Sequence, residues 1–129
     1  MKYLLDTHAL LWITSDSSKL PIKCKSLYLE QSNEIYISKA SVWEMAIKIS
    51  LNKLKITNSL EKFVEDHVIA NGIKIFDITL EHIYKIESLP FYHRDPFDRL
   101  IISQSITEAI PIISTDNSFD MYSVERIWD

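Results

Sequence analysis

Tyr3-Leu4-Leu5-Asp6-Thr7-His8-Ala9-Leu10-Leu11-Trp12 is the stretch that decides the fold. Three apolar residues run into a carboxylate, and the apolar pattern then resumes past Thr7 and His8. A short apolar run bounded by polar residues reads as a buried strand, and the resumed run reads as a helix. The same order recurs near the other end, where Ile110-Pro111-Ile112-Ile113 is followed by Ser114, Thr115 and then Asp116. In open α/β sheets, ligands bind in the crevice outside the carboxyl ends of the strands. Asp6 and Asp116 therefore each stand where such a crevice would lie.

Working outward, strands and helices alternate. Residues 2–6 read as strand one and residues 8–14 as a short helix. An amphipathic helix follows over residues 19–31, opened by Leu20-Pro21, and residues 34–37 form a β-rich strand. Ser38 caps a helix over about residues 39–51, which ends near Asn52. Asn58 or Ser59 starts another helix, and Gly72 stops it as a left-handed cap. Residues 73–76 read as a strand, and Thr79 caps a helix to about Ser88. After a loop over residues 89–94, Asp95-Pro96 opens a helix over about residues 96–109. The strand at 110–114 and a possible edge strand at 124–128 close the chain. Alternation of this kind predicts a mainly parallel sheet flanked by helices, in one domain spanning residues 1–129.

Composition removes whole classes. With a single glycine, Gly72, no GxxxxGK[ST] or GxGxxG phosphate cradle and no GxSxG nucleophile elbow is possible. The one cysteine, Cys24, permits no internal disulfide, which points to a reducing cytoplasm. Asp6, Thr7 and His8 interrupt the apolar start, so it reads as strand and helix, with no targeting segment and no membrane span. A net charge of −4 tells against a protein that only grips nucleic acid. The same charge leaves room for an enzyme with an acidic pocket, and for a basic protein partner.

Glu44 and Asp98 join Asp6 and Asp116, each near the start of a helical pattern. Two carboxylates about 4 Å apart repel by about 4 kcal/mol at an effective dielectric of about 20. A cluster of four must take up protons or bind a cation, and an all-carboxylate shell suits Mg²⁺ or Mn²⁺. Each acid also has an ordinary structural reading. Glu44 lies four residues before Lys48, the spacing of a surface ion pair. Its helix carries apolar residues around nearly its full circumference, however, which predicts burial. Asp95-Pro96-Phe97-Asp98 is a good helix start, so either acid there stabilises the helix end. Asp6 and Asp116 fit N-caps or Asx-turns. His8 lines the pocket or simply begins its helix, and His67 and His82 read as ordinary helix residues. His93 and Arg94 are placed to help position a phosphate. Lys48, Lys53 and Lys55, with Arg94 and Arg99, form a basic rim for an RNA backbone or are merely solvated.

Four ordered segments resemble the PIN-domain (PilT N-terminus) ribonucleases, in particular the VapC-type toxins of bacterial toxin–antitoxin pairs. They are Tyr3 to Trp12, Ile37 to Lys48, His93 to Gln104, and Ile112 to Asp116 with Phe119. The resemblance implies a three-layer α/β/α sandwich and Mg²⁺- or Mn²⁺-dependent cleavage of single-stranded RNA. By motif, Asp6, Glu44, Asp98 and Asp116 are the implied catalytic and metal-ligating residues. Thr7, Ser114, His93, Arg94, Arg99 and Lys48 are expected around them as supporting or substrate-positioning groups. A cognate antitoxin, an RNA substrate and a homodimer are the implied partners. Asn52 stands where the family often has glycine, and Asn tolerates a left-handed backbone. Two other classes compete. A haloacid-dehalogenase-like phosphatase would want Asp-x-Asp, but His8 holds the third place. A non-catalytic module keeping the PIN fold would not need the acids.

Overall fold

A computed structural model describes residues 1–129. Five strands form one parallel sheet: β1 (Lys2–Leu5), β2 (Glu34–Ser38), β3 (Lys74–Phe76), β4 (Ile112–Ile113) and β5 (Arg126–Ile127), in the order β3-β2-β1-β4-β5. Helices α1 (Thr7–Thr14), α2 (Ile22–Leu29), α3 (Lys39–Ser50), α4 (Leu60–Phe63), α5 (Leu80–Ile86) and α6 (Pro96–Glu108) alternate with them. Leu5 pairs with Ile37 on one side and with Ile113 on the other.

Strand periodicity divides the core. Tyr3, Leu5, Ile35, Ile37 and Ile113 face one side, where they pack with Ala9, Leu10, Cys24, Met45 and Val68. Leu4 and Ile112 face the other, with Ile101, Ile102 and Phe119. Leu4, Leu5, Ile112 and Ile113 are wholly buried, and each such side chain stabilises the fold by roughly 1.5–3 kcal/mol. The result is the expected α/β/α sandwich. The chain builds outward from β1 through β2 to β3, then crosses back to β4 on the other flank of β1. The order reverses between β1 and β4, and the crevice beyond their carboxyl ends is the place for a ligand.

Several elements differ from the sequence expectation. The helix expected over 19–31 is confined to Ile22–Leu29, because Pro21 is its extended N-cap. The strand expected over 110–114 is regular only at Ile112–Ile113, flanked by backbone bonds from the Leu4 N–H to the Pro111 carbonyl and from the Ser114 N–H to the Ile127 carbonyl. Helix α4 runs into a π-helical stretch, Val64–Ile69, in which the Ala70 N–H reaches back to the Glu65 carbonyl. Gly72 lies beyond that stretch with φ +78°, and Asn52 takes φ +58° after α3. A 3₁₀ turn at Asn117–Met121 was not foreseen. Helix α3 is also less buried than its composition predicts, since Trp43 is 57% and Ile47 37% exposed. No helix is long and apolar enough to cross a membrane.

Candidate active site

Asp6 follows β1 directly and caps α1. Its Oδ1 accepts the Ala9 N–H at 2.8 Å, and its Oδ2 accepts the Ser114 hydroxyl at 2.5 Å. Burial pushes its carboxyl above the usual range despite those donors. Ser114 follows β4, is fully buried, and also accepts the Asp116 N–H at 2.9 Å. One hydroxyl thus ties the ends of the two central strands together.

Asp116 caps the 3₁₀ turn. Its Oδ1 accepts from the Ser118 N–H (3.0 Å) and hydroxyl (2.7 Å), while Oδ2 lies 3.0 Å from His93 Nε2. Partial burial pushes its carboxyl up, but the Ser118 donors and His93 outweigh that and hold it below the ordinary value.

Asp98 lies in the first turn of α6, with Oδ2 3.1 Å from the same His93 Nε2. Burial raises its carboxyl to about 7, helped by the charges of Asp95, Glu44 and Asp6 and opposed by His93. Asp98 and Asp6 are the carboxyls of the cluster held above the ordinary range, each chiefly by burial.

Glu44 sits in the second turn of α3 rather than at its start. Its Oε1 accepts the Thr7 hydroxyl at 2.8 Å, and its Oε2 meets Lys48 Nζ at 2.9 Å. The Lys48 pair expected from spacing is present, but it is no surface pair, because the Glu44 side chain is only 9% exposed. The bond to Glu44, with the nearby charges of Asp95 and Asp98, holds the Lys48 ammonium above its ordinary value.

The neighbouring acid Asp95 turns to its own helix. Its Oδ1 accepts the Phe97 N–H at 2.8 Å, and the Asp98 N–H lies at 3.5 Å. His93 does not reach outward to solvent as a phosphate-positioning group would. Its ring stands between Asp98 and Asp116, and Nε2 and one carboxylate oxygen of each acid lie within 4.8 Å of one another. Arg94 lines a cleft of about 450 Å³ beside the cluster, with Glu44, Lys48, Lys53 and Phe97.

Two members of the expected basic rim are elsewhere. Arg99 is buried, donates to the Leu89 carbonyl at 3.0 Å and the Ile86 carbonyl at 3.4 Å, and stacks on Phe91. One residue past Asp98 on a helix, it points about 100° away from the acids. Lys55 lines a separate cavity of about 440 Å³ with Trp12, Phe63 and His67. His8 is exposed near Trp12, and His82 closes a capping box with Thr79.

Two contributors escape the sequence reading. Ser118 was legible as the hydroxyl two residues past a capping Asp. Tyr122 was not: it accepts the His93 N–H at 2.9 Å and donates to the Pro90 carbonyl at 2.6 Å. The donor set is carboxylate oxygen with one imidazole near it, a hard shell suited to Mg²⁺ or Mn²⁺.

The PIN-domain family model matches residues 3–125. The chain is similar to VapBC2 from Rickettsia felis bound to a DNA fragment from its promoter, at TM-score 0.70 and 17% identity over 100% of both chains. It is also similar to FitAcB from Neisseria gonorrhoeae (TM-score 0.66, 17% identity, 97% of this chain and 96% of that one). A DNA-bound VapBC from Salmonella typhimurium gives TM-score 0.66 at 14% identity, over 98% of this chain and 97% of that one. No curated protein sequence matches the chain. At such identities the solved structures carry the fold alone, while the family match covers the strands and helices that bear all four acids: the chain belongs to the PIN domain family.

Proposed function

We propose that this single PIN unit is the toxin of a toxin–antitoxin pair, a divalent-metal-dependent endonuclease acting on single-stranded RNA in the cytoplasm. The observation that carries the reading is the gathering of Asp6, Glu44, Asp98 and Asp116 from separate elements, with one carboxyl held protonated to about pH 7. PIN domains are generally nucleases, and the similar solved structures are toxin–antitoxin assemblies. The phosphatase alternative has lost its support, because the chain matches the PIN family and lacks Asp-x-Asp at residues 6–8.

Asp6, Glu44, Asp98 and Asp116 would hold Mg²⁺ or Mn²⁺. When bound, the ion supplies a Lewis acid that neutralises phosphate charge and lowers the pKa of water. The chain's own residues do the rest. Ser114 and the Ala9 N–H fix both oxygens of Asp6, Thr7 and Lys48 fix those of Glu44, and Ser118 fixes Asp116. Lys48, Lys53 and Arg94 line the cleft and would meet the RNA backbone. One of the four carboxylates would also accept the proton of an attacking water. A cognate antitoxin and a second copy of the chain are the proposed protein partners, and exposed Trp43, Leu51, Leu80 and Tyr84 offer apolar surface to them.

Expression of the chain alone should arrest bacterial growth, and Asp116→Asn should lift the arrest at equal protein level. Arrest that persists in Asp116→Asn, or no arrest by the parent, would instead favour a PIN-fold module without catalysis.

A further inference from the structure

The tautomer of His93 is fixed by its neighbours. Its Nδ1 accepts the Asp95 backbone N–H at 3.2 Å. A neutral imidazole carries one ring hydrogen, so that hydrogen is on Nε2. Nε2 in turn lies 3.1 Å from Asp98 Oδ2 and 3.0 Å from Asp116 Oδ2. One N–H is therefore shared by two carboxylates, and a nitrogen bearing hydrogen offers no lone pair to a metal. The ring is no ligand as it stands. It does for these two acids what a cation would do.

The remaining oxygens show why this matters. Both oxygens of Asp6 already accept hydrogen bonds, as do both oxygens of Glu44. On Asp116, Oδ1 takes two donors from Ser118, one of them the backbone N–H of its own 3₁₀ turn. An ion that bridges the facing Oδ2 atoms of Asp98 and Asp116 competes with the single shared N–H of His93. The backbone donor is locked into the turn. His93 is on the loop before α6, held by the Tyr122 hydroxyl through its backbone and resting near Phe119, with ring centroids 5.7 Å apart.

Resting on the cation-site reading above, we propose that His93 is a built-in occupant of the metal position. Its imidazole N–H bridges Asp98 and Asp116 and competes with a divalent ion for the same two carboxylates. His93 thereby sets the metal affinity of the site, weakening it without being a ligand.

The test is a titration of the full chain with Mn²⁺ at one fixed pH, free ion being read by electron paramagnetic resonance. His93→Ala should tighten the Kd by about 2- to 10-fold, the worth of one displaced hydrogen bond. His93→Gln, whose amide N–H can restore the bridge, should stay within about twofold of the parent. Pulsed resonance of Mn²⁺ bound to the parent should show no ¹⁴N coupling from an imidazole, a readout that needs no variant. An unchanged or weaker Kd in His93→Ala overturns the proposal. So does a ¹⁴N coupling present in the parent and lost in His93→Gln, which would make His93 a ligand. Loss of binding in Asp98→Asn alongside an unchanged His93→Ala leaves the cation site standing and removes only the role of His93. If neither the parent nor His93→Ala binds Mn²⁺, the cation site itself fails and the proposal with it.

Discussion

Replacing Asp98 by Asn should make the metal-free protein more stable, and the gain should grow with pH. In the folded protein the Asp98 carboxyl is raised to about 7 from its ordinary 3.8 by burial and by the charges of Asp95, Glu44 and Asp6. Between those two values the folded chain holds a proton that the unfolded chain has released. Stability therefore falls as pH rises from about 4 to about 7, and stays low above it. A shift of about 3 units corresponds to about 4 kcal/mol at face value. Relaxation of the loop and entry of water reduce such figures, so about 2 kcal/mol is the amount to seek. Asn keeps an oxygen for His93 Nε2 and carries no charge, so it should escape the penalty. Urea unfolding of both proteins in EDTA at pH 5 and pH 8 measures it. Asp98→Asn should gain on the parent by about 2 kcal/mol between the two pH values. Saturating Mn²⁺ at 100 times its Kd should then restore about 2.7 kcal/mol to the parent at pH 8, and far less to the variant. Parallel loss of stability in the two proteins from pH 5 to pH 8 would refute the raised Asp98 carboxyl.

Asp95 and Arg99 separate architecture from chemistry in the same helix. Asp95→Asn should melt like the parent, because asparagine caps as well as aspartate, while Asp95→Ala should lose about 1 kcal/mol in thermal unfolding and keep measurable cleavage. Arg99→Ala should destabilise by roughly 2–3 kcal/mol, through loss of its bonds to the Ile86 and Leu89 carbonyls and its stack on Phe91. A stable Arg99→Ala protein with weakened RNA binding would instead put that side chain back at the rim. Lys53→Ala and Arg94→Ala, both at exposed positions, should shift stability by less than about 0.5 kcal/mol. Each should weaken RNA binding and lower the salt slope of that binding by about 0.7; salt slopes equal to the parent's would remove both residues from the RNA path.

Local chemistry made much of this readable. Ser38, Thr79 and Asp95 read as helix caps from side chains able to accept an N–H, and each does so; of the two candidates Asn58 and Ser59, Ser59 is the cap. Short apolar runs placed Asp6 and Asp116 beyond β1 and β4 because fully buried parallel strands need no polar face. Arg99 was misplaced for a reason that helical geometry already contained, since adjacent residues on a helix diverge by about 100°. Other features depend on distant parts of the chain. The hold of Tyr122 on the His93 loop spans 29 residues, and nothing local marks it. The π-helical stretch brings Val68 wholly into the core, and its widened turn follows from tertiary packing. The apolar circumference of α3 predicts burial on all sides, yet Trp43 and Ile47 are exposed. Apolar residues are common on surfaces, so composition alone does not bury a helix.

Cleavage of RNA by these four carboxylates with a divalent ion is the proposed reaction. Its most direct test is the rate at which the purified chain cuts an end-labelled single-stranded RNA with Mn²⁺ or Mg²⁺ and with EDTA. Asp6→Asn, Glu44→Gln, Asp98→Asn and Asp116→Asn are assayed alongside. The expected result is cleavage that requires the ion and falls by at least about 100-fold in each variant that still folds, since the loss of one transition-state contact of this kind costs about that much. Cleavage undiminished by EDTA, or retained at the parent's rate in Asp98→Asn or Asp116→Asn, would contradict it.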